Sequence, residues 1–258
     1  IRNNNFTWTS SFNIAFNQNK VLALTENQES MRFAAPFDNT WSNVPAYMAK
    51  LNNPLGQMIG YIWDGVYQYS DFYKNTAGVY VLKDEVPTNG NTRGNIQPGD
   101  IKYKDINGDG VINTSDYAVI GNGIPKHNGG FSNNFNYKGF DLNVFLQWSY
   151  GNDVMNGNKL MFEGNALNKA TLNQFASYND RWTPANTSSA IFRTKGFFGD
   201  GFSSYIVEDG SFLRLKTVAL GYTVPPKLLK RAKIKSLRVY VSAQNLFTWT
   251  NYSGMDPE

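Results

Sequence analysis

Hydrophobic and polar residues alternate with a period of two over long stretches of this chain. Between residues 5 and 17, Phe6, Trp8, Ser10, Phe12, Ile14 and Phe16 share one parity, and Thr7, Thr9, Ser11, Asn13, Ala15 and Asn17 the other. Successive side chains of a strand point to opposite faces, so the pattern predicts a strand with one apolar and one polar face. Residues 131–150 read as a hairpin. Phe131, Asn133, Phe135 and Tyr137 alternate with Ser132, Asn134 and Asn136; Lys138 and Gly139 make a tight turn; Phe140, Leu142, Val144, Leu146, Trp148 and Tyr150 then resume the alternation. A further strand is predicted over 205–222. Its phase slips between Leu213 and Leu215 on one side and Val218, Leu220 and Tyr222 on the other, which implies a bulge. Over 236–250, Leu237, Val239, Val241 and Ala243 oppose Arg238, Tyr240, Ser242 and Gln244. At about 11–13 residues, these strands exceed the five or six usual in soluble sheets.

The connections alternate in length. Residues 138–139 and 223–235 are short, whereas 19–126, 151–204 and 251 onward are long and rich in Gly, Asn and aromatic residues. Long amphipathic strands, short turns at one end and long loops at the other describe a transmembrane β-barrel. Trp8, Trp148, Tyr150, Tyr222 and Trp249 near strand ends fit interfacial girdles. Antiparallel order makes residues 19–126 one external excursion. Residues 58–69 look strand-like, but one crossing there would break the parity, so they are expected as a local hairpin or cap outside the membrane. The expected fold class is therefore all-β, as antiparallel barrel wall; the alternative is a soluble β-sandwich with one wet face. Ile1 already lies in a strand pattern and Glu258 follows no closing element, so the chain is expected to be a piece of a longer one. The lack of a leader then carries no information on location.

Composition narrows the chemistry. The 33 Asn and 23 Gly among 258 residues suit turns and loops, and 15% aromatic content suits strands. Zero Cys excludes disulfides, thiol catalysis and Cys-ligated metals, and the single His127 excludes a His-cluster metal site. No apolar run approaches the length of a transmembrane helix. A net charge of +4 with scattered Lys and Arg gives no footprint for nucleic acid. The exception to the scatter is Lys227, Lys230, Arg231, Lys233 and Lys235, which reads as a solvated turn or as a contact for anionic headgroups. No nucleophile elbow, phosphate loop or dinucleotide fingerprint is present, and no enzymatic activity is expected. The acidic residues at Asp180, Glu208 and Asp209 read as surface loop and strand end, and His127 as a local hydrogen-bond partner.

One motif carries metal chemistry. Residues 105–116 place Asp105, Asn107 and Asp109 at positions 1, 3 and 5 of an EF-hand-like loop, Gly110 at the turn, the Val111 carbonyl at position 7, Asn113 at 9 and Asp116 at 12. Oxygen-only ligands suit a hard cation, so a structural Ca²⁺ is expected, although Asp116 has a shorter arm than the usual Glu. The alternative is a solvated turn without metal. Trp41, Trp63, Tyr67, Tyr69, Trp182, Phe197 and Phe198 fall in the long segments. Flat rings there stack on sugars or peptides, or pack the loops together.

Several stretches resemble the C-terminal part of the SusC/RagA family of TonB-dependent outer-membrane transporters. They are residues 12–21 (FNIAFNQNKV), 98–110 (PGDIKYKDINGDG), 129–132 (GGFS), 137–142 (YKGFDL), 212–216 (FLRLK) and 239–247 (VYVSAQNLF). The resemblance implies that residues 1–258 are part of a 22-stranded barrel whose plug and final strand lie outside this sequence. It implies import of oligosaccharides or peptides, with long loops facing the extracellular side. A SusD-like surface lipoprotein would act as lid, and TonB would act through the missing N-terminal part. It also implies outer-membrane lipid around the wall and a dimer of transporter–lid pairs. The competing expectation is a secreted, calcium-dependent carbohydrate-binding β-sandwich. A dockerin-like module would need a second loop copy and a following helix, and neither is evident.

Overall fold

A computed structural model describes residues 2–3, 5–34, 41–163, 172–196 and 202–258; Phe197 and Phe198 lie outside the described residues. In chain order the strands are β1 (Arg2–Asn3), β2 (Phe6–Phe16), β3 (Ser30–Ala34), β4 (Pro45–Lys50), β5 (Gln57–Gly60), β6 (Trp63–Val66), β7 (Phe72–Lys74), β8 (Tyr80–Leu82), β9 (Ile101–Tyr103), β10 (Ala118–Asn122), β11 (His127–Tyr137), β12 (Phe140–Tyr150), β13 (Asp153–Met155), β14 (Val207–Asp209), β15 (Phe212–Thr223) and β16 (Arg238–Thr250). Two compact units form. One comprises Ile1–Gln18, Ile124–Asp153 and Asp209–Glu258; the other comprises Asn19–Gly123 and Val154–Glu208.

The first unit is a six-stranded antiparallel sheet in the order β1-β2-β11-β12-β15-β16. Lys138 (φ 46°) and Gly139 (φ 88°) are both left-handed, the backbone of a type I′ turn, whose twist matches the flanking strands. The Thr223 N–H donates to the Gly139 carbonyl at 2.8 Å and ties this turn to the end of β15. Register keeps like with like. Trp8, Phe135, Leu142, Leu220 and Val241 lie level across the sheet, as do Phe12, Phe131, Leu146, Leu215 and Phe247. The opposite face carries rows such as Thr9, Asn134, Asn143, Ala219 and Ser242.

The slip read from the sequence in β15 is a bulge. Between the level of Val144, Val218 and Ala243 and that of Leu146, Leu215 and Phe247 lie Phe145 on β12, Lys216 and Thr217 on β15, and Gln244, Asn245 and Leu246 on β16. Asn245 absorbs the extra residue with φ 51°. The bulge moves the strand's apolar parity from odd to even and keeps one face apolar along its length. Two boundaries differ from expectation. β11 starts at His127 rather than 131, because Gly129 and Gly130 continue the ladder without contributing to the pattern. A Cβ at Gly129 would lie 2.4 Å from both the Asn13 carbonyl oxygen and the Trp148 ring, so the glycine makes room for the indole. Residues 205–222 are not one strand. The Asp209 carboxylate accepts the Ser211 N–H at 2.9 Å in a side-chain turn, separating β14 from β15.

The apolar face is open: Phe12, Phe16, Val239 and Val241 are each more than 60% exposed. A sandwich would cover that face, so the two-sheet alternative does not describe this unit. Aromatic residues gather at both ends of the face. Phe140 and Tyr222 lie 4.5 Å apart at the turn end, and His127 and Tyr150 stack at 5.0 Å at the other. The ten-residue rise between these levels is roughly 34 Å along a strand, or roughly 25 Å at barrel tilt, the height of an outer-membrane apolar band. His127 makes the local contact expected of it, its Nδ1 accepting from Trp148 Nε1 at 3.2 Å.

The second unit is built from short strands around an aromatic core. One sheet has the order β10-β5-β4-β3, and β6 pairs with β9 and β7 with β8. β5 and β6 therefore enter different sheets, so residues 58–69 are not a local hairpin. Residues of the 19–126 stretch share a core with Phe192, Phe202, Tyr205 and Ile206. The Tyr61 N–H donates to the Phe202 carbonyl at 2.8 Å, and Ser204 N–H to that of Tyr61 at 2.9 Å. At Gly60 a Cβ would lie 2.2 Å from the Phe202 oxygen, so only glycine permits this approach.

In a bilayer, Val241→Arg is expected to destabilise the protein by about 2 kcal/mol, and Ser242→Arg by much less, since adjacent residues face opposite sides. Urea unfolding of the two variants in lipid vesicles measures the difference; equal costs would show that the two faces do not differ in solvent.

Candidate functional site

The EF-hand-like loop joins β9 to β10 within the second unit. Ile112, 2% exposed, anchors it in the aromatic core, and the Thr88 N–H donates to the Gly110 carbonyl at 3.1 Å. Gly108 (φ 75°) and Gly110 (φ 79°) supply the left-handed backbone that two sharp reversals need. The predicted ligands all turn inward on the loop's own backbone. Asp105 accepts the N–H groups of Gly108 and Gly110 at 2.7 and 2.8 Å. Asn107 Oδ1 accepts from the Asp109 N–H at 2.9 Å, and Asp109 Oδ1 from that of Val111 at 2.8 Å. Asn113 caps the short helical turn that follows, accepting the Ser115 N–H at 2.8 Å, while its amide donates to the Val111 carbonyl at 3.2 Å.

Asp116 is wholly buried and takes the N–H groups of Ile106 and Asn113 at 3.0 and 2.9 Å. Three carboxylates thus share one loop, and no ion pair reaches any of them among the described residues. Nor do three acidic or imidazole side chains gather there as a metal-holding group among the described residues. The donor set is oxygen throughout, which fits a hard divalent cation by chemistry.

The aromatic candidates separate by burial. Trp41, Tyr67 and Trp182 are core residues with 1%, 0% and 4% exposure. Trp41 stacks on Phe202 at 5.1 Å, and Tyr67 donates its hydroxyl to the Pro87 carbonyl at 2.7 Å. Burial, reinforced by Asp71 and Asp100, pushes the Tyr67 phenol up, so it stays neutral. These three take the loop-packing role. Trp63 and Tyr69 are half-buried. Tyr69 lines a shallow depression of about 230 Å³ with Tyr80, Gln97, Pro98, Trp182 and Arg193. Arg193 pairs with the buried Asp100 at 2.6 Å. Burial raises the Asp100 carboxyl, while the Gln97 N–H and Arg193 pull it back.

Sequence reasoning passed over one charged residue in the first unit. Arg214 lies on the polar face of β15, 3% exposed, with Nε donating to Thr248 Oγ1 at 3.0 Å. Its guanidinium is paired with both Asp256 and Glu258, so residues beyond β16 are tied back onto the polar face of the sheet. The signal was present: an Arg between Leu213 and Leu215 sits at a polar-face position of an amphipathic strand.

No family model matches the chain. TonB-dependent receptor P3 of Formosa agariphila is 32% identical over 258 residues, covering 100% of this chain and 24% of that protein. TonB-dependent receptor P26 of the same organism is 32% identical over 262 residues, with the same coverage. TonB-dependent receptor SusC of Bacteroides thetaiotaomicron is 28% identical over 257 residues, covering 98% of this chain and 22% of SusC. The solved structure of the RagAB peptide transporter matches with a TM-score of 0.71 at 22% identity, covering 100% of this chain and 25% of that one. The fold is thus that of a stretch of transporter β-barrel. The chain spans about a quarter of the length of the relatives it matches. These relatives are receptors and a transporter, not enzymes.

Gly99 sits beneath the Trp182 ring with φ +87°, where a Cβ would come within 2.3 Å of the indole. Gly99→Ala is expected to cost at least about 2 kcal/mol through strain and displacement of the ring. Tryptophan emission and proteolysis of the second unit register the change; an unshifted spectrum with wild-type resistance would show that Trp182 does not rely on this contact.

Proposed function

We propose that this chain, which is similar over its whole length to TonB-dependent receptors including SusC, forms wall and external loops of an outer-membrane importer. One observation carries the reading. The six-stranded sheet has an open apolar face bounded by two aromatic belts and an Asn-, Ser- and Thr-rich face opposite. Lipid suits the first and a wet passage the second. In this reading the sheet is part of a 22-stranded barrel, and oligosaccharides or peptides pass along its polar face. A SusD-like lipoprotein closes the external mouth, and TonB supplies energy through a part of the receptor outside this stretch. Transporter–lid pairs associate as dimers.

The chain's connectivity supports an orientation. β2 ends and β11 begins at the same level, Phe16 beside His127, so residues 17–126 leave from the end opposite the Lys138 turn. Barrels of this type keep short turns in the periplasm and long loops outside. In intact cells a membrane-impermeant maleimide should label Ala77→Cys in the second unit and spare Ser236→Cys in the turn. The latter should react only once the outer membrane is opened, and equal labelling in intact cells would reverse the assignment.

The loop at 105–116 belongs to the same proposal as a structural Ca²⁺ site held by Asp105, Asn107, Asp109, the Val111 carbonyl, Asn113 and Asp116. The spacing of these oxygen donors along one loop supports it, because a cation there would supply the positive charge that no ion pair among the described residues brings to its three carboxylates. When bound, the ion would supply that charge and brace the loop; it takes no part in chemistry. Extracellular sites of this kind bind at roughly 10⁻⁴–10⁻³ M. Millimolar Ca²⁺ should therefore protect residues 105–116 of the full-length receptor from protease, and a chelator or Asp109→Ala should remove the protection. Cleavage indifferent to both would leave the loop as a metal-free turn.

A further inference from the structure

One end of the six-stranded sheet is almost entirely cationic. The turn between β11 and β12 needs two residues, but residues 224–237 intervene between β15 and β16 at the same end. That longer turn is ordered. The Val224 N–H donates to the Leu237 carbonyl at 2.9 Å, Pro226–Leu229 forms a helical turn, and Lys233 (φ 55°) reverses the chain. Leu229 is buried and pins the turn. Leu228 on the same helical turn is 70% exposed, and Ile234 and Leu237 are also exposed.

Around these aliphatic side chains stand Lys227, Lys230, Arg231, Lys233 and Lys235, all exposed, with no acidic residue between 224 and 237. Lys138 lies in the adjoining turn. The unit's other acids, Asp153, Asp209, Asp256 and Glu258, belong to the far end. Asp141 is the acid at this end, and it is ion-paired with Arg238.

We propose that residues 224–237 are an interfacial anchor that binds anionic phospholipid headgroups of the leaflet bordering the turn end of the sheet. The proposal rests on the reading of the sheet as membrane-spanning. Two features favour a lipid over a soluble acidic partner. The cations surround exposed Leu228 and Ile234, a pairing suited to the depth where acyl chains meet headgroups, since lysine stems lie along apolar material while the ammonium reaches the polar layer. The turn also continues the open apolar face, whose last level is Tyr222 and Val239. Clustered like charges repel one another unless an anionic surface meets them, and each basic residue near such a surface strengthens binding by about fivefold.

The test uses the full-length receptor, freed of any other cysteine, in phosphatidylcholine vesicles containing about 30 mol% of either brominated phosphatidylglycerol or brominated phosphatidylcholine. A bimane label is placed at Leu228→Cys or, as control, at Val241→Cys on the apolar face. The Val241 label should be quenched by both lipids. The Leu228 label should be quenched at least roughly threefold more by phosphatidylglycerol, and this preference should vanish near 1 M salt. Substituting Lys227, Lys230, Lys233 and Lys235 by Gln should abolish the preference and leave quenching at Val241 unchanged. Equal quenching of the Leu228 label by the two lipids, no quenching there, or a preference that survives salt or the Gln substitutions overturns the anchor while the membrane reading stands. Loss of quenching at Val241 as well overturns the membrane reading itself.

Discussion

The constraint on which this structure depends is that every strand in the sheet must satisfy its backbone through its neighbours while one face stays apolar. In hydrocarbon no water replaces a missing hydrogen bond, so the ladder and the facing of side chains must be right together. A one-residue slip would turn every side chain of a strand to the wrong side. The bulge at Lys216, matched on the next strand by Asn245 with φ 51°, resolves this conflict. It spends residues in the ladder to realign Leu213 and Leu215 with Val218, Leu220 and Tyr222.

The same facing rule separates the chemistry of the two sides. On the apolar side, polar groups are kept satisfied: Asn133, at a core-like position among aromatics, accepts from Trp8 Nε1 at 3.0 Å. On the polar side a charge is retained. Arg214 is buried yet fully engaged by Thr248, Asp256 and Glu258. Removing one partner of such a group would leave a buried charge unmet, which is far costlier than losing an exposed ion pair.

The sheet was legible in the sequence because a period-two pattern sustained over eleven residues is a long signal. The bulge was legible for the same reason, as a break in that pattern. The second unit was not legible. Its strands run from three to six residues, too short for alternation to declare itself, and its pairings join distant segments, as Tyr61 with Phe202 and Trp63 with Tyr103. The pattern at residues 105–116 could be read directly because its spacing is local, and in the structure its side chains accept hydrogen bonds from the loop's own backbone. The rings were ambiguous because an aromatic residue reads alike whether it packs or binds; only burial sends Trp41, Tyr67 and Trp182 to the core and leaves Tyr69 at an open depression.

The close approach of Gly60 to Phe202 bears on how the molecule is made. Residues 57–61 leave the ribosome long before residues 202–206, and the β11–β12 hairpin emerges between them. The aromatic core of the second unit therefore cannot close on its own stretch of nascent chain. Contacts of such sequence separation are slow to form, because loop closure must be met before any contact repays it. Through that interval the apolar side chains that pack on Phe192, Phe202, Tyr205 and Ile206 wait uncovered, so this unit depends on a holding chaperone during biogenesis.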